Sequence, residues 1–244
     1  MTALGSSTTV TNFCVFQIRF QEIGGALETS CSKPIDKTIL DASSTAFKLK
    51  TFTVALSCIG KCWEDGVYLP QLFVRFWKLT LQILGRICVW ADECTSLKQW
   101  PANDEISRID LLVILYLDIV TFVDKLSNIQ NVVVEKMPAR LNAEIPLLEK
   151  SLSDSSAALR ARLERIQDCW NREMLAQVTG WAKQVADIPR LYRKTNREAP
   201  TRACNYVEQI LRTAKNFHSQ YGERIDRVTY EGILAGVFTQ LNKQ

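Results

Sequence analysis

Histidine is nearly missing from this sequence of 244 residues, which holds one, His218. Acid-base and nucleophilic catalysis near neutral pH draw first on imidazole. His218 stands beside Phe217 with no Ser/Asp pattern around it, so it reads as a surface residue of a helix. Glycine and proline are also sparse, 10 and 7, against 47% hydrophobic and 23% charged residues. That balance excludes disordered, collagenous and low-complexity classes. Long apolar runs are missing too: Leu111 to Leu117 is the densest and is interrupted by Asp118, short of the ~18 to 20 residues that a membrane span needs. Met1 to Asn12 lacks a basic segment followed by an apolar one, so no secretory signal is expected. Neither Gly-x-x-x-x-Gly-Lys nor Gly-x-Gly-x-x-Gly occurs, and Gly24-Gly25 lies outside any strand-to-helix turn.

What is present suits a globular chain of one or two domains. Eight cysteines make an even count, but a chain this large and apolar needs no disulfide framework, and reduced thiols in a reducing compartment are expected. Cys58 and Cys62 stand one helical turn apart, yet a closed zinc site takes four ligands, and Cys88 with Cys94 supplies no matching half. They read as buried structural cysteines. The six tryptophans fall largely on apolar helix faces, where core packing outweighs base stacking.

Residues 1–40 differ from the rest. A Ser/Thr stretch, the alternation Phe16-Gln-Ile18-Arg-Phe20, the glycine pair and a Ser-Cys-Ser-Lys-Pro breaker at 30–34 read as a poorly ordered leader with one short strand. Residues 41–244 then read as a helical domain. Leu72, Phe73, Phe76, Trp77, Leu79, Ile83, Leu84 and Ile87 cover more than half of a helix circumference, marking a central helix. Trp100-Pro101 breaks the chain, and Asn103 or Asp104 is placed to cap a helix carrying Ile106, Ile109, Val113, Leu117, Val120 and Val123. Pro138 and Pro146 imply shorter pieces, with a long helix starting near Ser151 to Asp154. Its stripe is Leu159, Leu163, Ile166, Trp170, Met174, Val178, Trp181, Val185 and Ile188, stepping 3.6 residues on average as an α-helix does. Two more helices follow, over Tyr206 to Phe217 and Ile225 to Leu241. The fold class is all-α, an antiparallel helical bundle or rod.

The formal charge is +4, too mild for a nucleic-acid binder that neutralises many phosphates. All of it lies in residues 183–202, where six bases face Asp187 and Glu198. The stretch Ile188-Pro-Arg-Leu-Tyr-Arg-Lys-Thr-Asn-Arg-Glu-Ala-Pro-Thr201 is aromatic, basic and bounded by prolines. A solvated connector is one reading. The other is a contact surface for an acidic partner or anionic lipid, with Arg190, Tyr192, Arg193, Lys194 and Arg197 as candidate contacts, because guanidinium forks match carboxylate and phosphate. The residues point to no catalytic group, no metal and no cofactor.

Pro189 to Thr201, followed by Tyr206-Val207, closely resembles the C-terminal part of the subunit 2 family of the conserved oligomeric Golgi complex. A second block, Cys62 to Arg86 with Trp63-Glu-Asp-Gly-Val-Tyr68 at its start, agrees and stands in the expected order. The resemblance covers roughly 45–240. It implies a non-enzymatic part of a multisubunit tether in retrograde vesicle traffic within the Golgi, peripheral on the cytosolic face of the membrane. Other subunits of the complex are the implied partners, with no small-molecule substrate and no nucleic acid, and the implied fold is a helical rod of stacked bundles. The family's N-terminal, coiled-coil-bearing portion has no counterpart in this sequence, so a truncated chain is expected. The competing function is a helical module that binds anionic membrane or nucleic acid through the basic stretch.

Overall fold

The computed structural model describes residues 3–35, 37–41, 46–96, 107–187 and 202–243. Seven α-helices lie among them: α1 Ala3–Cys31, α2 Lys50–Cys62, α3 Phe73–Thr95, α4 Arg108–Glu135, α5 Ile145–Ala182, α6 Asn205–Tyr221 and α7 Arg227–Leu241. No strand occurs among the described residues, where the one sheet-like contact is an isolated antiparallel bridge between Leu40 and Leu49. The chain is all-α, as its periodicity predicts. No described helix is long and apolar enough to cross a membrane.

Two compact units divide it. The first comprises 1–107 and 114–165, the second 108–113 and 166–244.

In the first unit α1 packs against α2 and α3. The Phe16 to Phe20 alternation, read from sequence as a short strand, is helical. The physical reason is a longer pattern: Ile23, Leu27 and Cys31 are buried at steps of four, the period of a helix face. That period continues the Phe16 to Phe20 step, and Gly24-Gly25 does not break it. The core is built from rings. Phe52 of α2 stacks on Phe47 at 5.9 Å, meets Trp90 of α3 edge-on at 5.8 Å and lies 5.4 Å from Phe122 of α4. Helix α3 is buried along Phe76, Leu79, Thr80, Ile83, Leu84, Ile87 and Trp90, the central helix that its sequence predicts.

The long helix starts earlier than its sequence suggests, at Ile145. Pro146 occupies the first turn, where its missing N–H costs nothing. Ser151 and Ser155 donate to the carbonyls of Leu148 and Ser151 within the helix. Leu148 and Leu152 extend the buried stripe backwards through Leu159, Ile166, Trp170, Met174 and Val178. Its far end differs from expectation: Trp181 is 38% and Val185 45% exposed, and the helix gives way to a 3₁₀ turn over Lys183–Asp187. The proposed caps Asn103 and Asp104, like Ile188, lie outside the described residues.

In the second unit Trp170 is fully buried and meets Phe217 of α6 edge-on at 5.2 Å. Phe217 in turn stacks on Tyr230 of α7 at 5.9 Å and contacts Tyr221. Arg108 and Glu173 form an ion pair at 3.0 Å.

Candidate functional site

The candidate contacts of the basic loop, Arg190, Tyr192, Arg193, Lys194 and Arg197, all lie outside the described residues. Its flanks are described: Lys183 and Arg202 are both exposed, and Cys204 stands in extended conformation before α6.

The other resemblance block, Cys62 to Arg86, is fully described. Helix α2 ends at Cys62, and the turn to α3 reverses through Gly66, whose φ of 87° is open to glycine and strained for other residues. Trp63 is 3% exposed, and its indole N–H donates to Thr80 Oγ1 at 3.1 Å. Around it gather Tyr68, Phe73, Phe76 and Trp77, with ring centroids 5.4 to 6.5 Å from the indole. The Tyr68 hydroxyl donates to the Lys136 carbonyl at 2.7 Å, just past the end of α4, where helix carbonyls lack partners. Burial pushes the Tyr68 hydroxyl above its ordinary pKa. The Lys136 ammonium lies 5.8 Å from the Tyr68 ring and pairs with Asp65, holding that carboxyl below its usual range. The Trp-Glu-Asp-Gly-Val-Tyr segment thus ties the α2–α3 turn to the end of α4.

A second device was invisible in sequence. Asp118, which reads there only as an interruption of an apolar run, is 4% exposed. Its carboxylate accepts from Lys48 N–H at 3.0 Å and from Leu49 N–H at 2.7 Å. Leu49 caps α2 and has no side-chain cap of its own. A carboxylate from α4 therefore closes the positive end of α2, an arrangement favoured by the helix dipole. A lone acid gives no sign of a partner some 70 residues away. Trp77 of α3 similarly donates to Ser151 of α5 at 3.2 Å, and Arg162 of α5 reaches Asp92 of α3 at 2.9 Å.

The buried thiols of α1, α2 and α3 are packing groups. Cys58 donates to the Ile23 carbonyl at 3.5 Å and Cys62 to the Cys58 carbonyl at 3.3 Å. Burial pushes Cys31 up to about 11 and Cys62 up to about 12, and raises Cys58, Cys88 and Cys94 as well, the reverse of what a nucleophile needs. Among the described residues no group of three or more His, Cys, Asp or Glu is placed to hold a metal ion. His218 is exposed on α6, its ring 5.2 Å from that of Tyr230.

What these side chains assemble is packing and helix registration, the work of a helical structural module. The chain belongs to the family described as COG complex component, COG2, C-terminal, whose match covers residues 12–244. That family takes in part of the stretch expected to be a divergent leader. The chain is 35% identical over 234 residues to conserved oligomeric Golgi complex subunit 2 of Drosophila melanogaster, covering 93% of this chain and 33% of that protein. It is 24% identical to the Homo sapiens subunit 2, covering 92% of this chain and 35% of that protein. For Arabidopsis thaliana the identity is 22%, over 94% of this chain and 32% of that protein. The chain thus spans about a third of the length of the curated relatives it matches. No solved structure matches it.

Proposed function

We propose that this chain works as part of the conserved oligomeric Golgi complex, as a non-catalytic scaffold in retrograde vesicle tethering within the Golgi. It binds other subunits through helical faces and sits peripherally on the cytosolic side of the membrane. One observation carries the reading: a single family match runs through 12–244, and relatives from fly, human and plant carry the same subunit name. The buried aromatic turn of Cys62 to Arg86 supports it, because a rigid helical body presents faces to partners at low ordering cost. Arg190, Tyr192, Arg193, Lys194 and Arg197 are the proposed contacts of the basic loop, on sequence grounds alone.

Affinity purification of the tagged chain from cells, with partners identified by mass spectrometry, tests this. The expected result is enrichment of other subunits of the complex, reduced by reversal of Arg190, Arg193 and Arg197 to Glu with helix content unchanged. A folded parent chain that enriches none of them overturns the reading. Equal capture by the triple variant removes the loop from the contacts and leaves the helical faces alone to carry them.

A further inference from the structure

Between α1 and α3 runs an outward-facing groove of about 400 Å³, lined by Phe16, Gln17 and Phe20 on one side and Arg75, Lys78 and Gln82 on the other. The spacing on each helix sets this up: 16 and 20 are one turn apart, and 75, 78 and 82 are three and four apart, so each set shares a face. Phe16 anchors the floor, its ring edge-on to Phe76 at 5.2 Å. The Arg75 guanidinium lies 5.7 Å above the same ring. Phe20 remains 37% exposed within the groove. Exposed apolar side chains gathered in a concavity mark a contact surface.

The charge pattern selects the occupant. Among the described residues that line the groove are two cations, two amides and no carboxylate. A flat anionic bilayer meets a convex apolar surface, whereas a trough between two helices fits a third. We propose that this groove is the docking surface for an acidic amphipathic helix of a partner protein. Apolar side chains one turn apart on that helix sit on Phe16 and Phe20, and its flanking carboxylates face Arg75 and Lys78. The inference deepens the scaffold reading above and rests on it for the partner being a protein.

The test uses the full chain and two labelled synthetic helices with one shared leucine pattern, one flanked by glutamates and one by lysines, read by fluorescence anisotropy. Vesicles of phosphatidylcholine with phosphatidylserine form a third arm. The glutamate helix is expected to bind about tenfold or more tightly than the lysine helix. Lys78→Glu should weaken it by a similar factor, and Gln82→Lys should strengthen it. Both positions are exposed, so neither change disturbs the core. No binding of the glutamate helix, binding indifferent to Lys78→Glu, or Lys78-dependent capture by vesicles alone overturns the proposal. Failure of the parent chain to recover complex subunits from cells refutes the scaffold reading instead, and the peptide measurement still decides the groove.

Discussion

Both compact units pack their helices around rings, and they differ in the polar bonds laid over that packing. In the first, polar bonds join elements far apart in sequence: Asp118 to the start of α2, Trp63 to Thr80, Tyr68 to Lys136, Trp77 to Ser151 and Arg162 to Asp92. Each fixes a register as well as a contact. In the second unit Phe217 touches Trp170, Tyr221 and Tyr230, and the ion pair of Arg108 with Glu173 is the long-range polar contact described there. Polar bonds are directional and costly to leave unmade, whereas ring packing tolerates small shifts. The first unit is therefore the one most exposed to loss of a single polar atom, and the second to a charge set among its rings.

The largest effect should come from the second unit. Trp170→Asp sets a carboxylate at a fully buried position against Phe217. The usual penalties for buried, unpaired charge put the loss at about 3–5 kcal/mol. A thermal melt checks this, and a variant that unfolds no earlier than the parent removes Trp170 from the core.

The matching cut in the first unit is Asp118→Ala, which leaves the N–H groups of Lys48 and Leu49 without the carboxylate they donate to. One buried donor, Leu49 N–H, and one part-buried donor, Lys48 N–H, at about 1–3 kcal/mol for the buried one and less for the other, put the loss at about 3 kcal/mol. Asp118→Asn, which keeps one acceptor oxygen, should lose less. Denaturant titration checks both, and equal losses would show that the packing of the side chain matters here and its acceptors do not.

Much of this division was legible in the sequence and part was not. The faces of α3 and of α5 from Leu159 to Val178 follow from periodicity, since one face must meet the core whatever its partner is. Trp181 and Val185 fit the same period and are exposed, because periodicity extends a stripe without showing where its cover ends. Pro146 reads as a breaker, although proline in a first turn starts a helix as readily as it ends one. Asp118 was hidden because a cap supplied from another helix has no local signal. Arg190 to Arg197 of the basic loop lie outside the described residues.

A smaller effect should follow from Trp63→Phe, which keeps most of the ring packing and removes the N–H that donates to Thr80. The hydroxyl of Thr80 still donates to the Phe76 carbonyl, so no donor is orphaned. A loss of about 1–2 kcal/mol is expected in denaturant titration. A loss as large as that of Asp118→Ala would mean that the ring itself carries the turn.

The smallest expected effect lies at Asp226, in the second unit, where a local polar bond caps a helix as the long-range bond of Asp118 does in the first. Asp226 caps α7 by accepting from Thr229 N–H at 2.9 Å. That backbone hydrogen bond holds its carboxyl below the ordinary value. A depressed carboxyl adds stability above its unfolded pKa of about 3.9, and the increment is lost as pH falls through the lower, folded value. Asp226→Ala should cost about 0.5–1 kcal/mol at neutral pH. Asp226→Asn keeps a good cap but carries no titrating charge, so its deficit should be smaller still at neutral pH and should close below about pH 4. Denaturant titration of parent and Asn variant at several pH values reads this directly. A gap that persists undiminished in acid would show that the charge on Asp226 contributes nothing, leaving the geometry of the cap as the whole of its role.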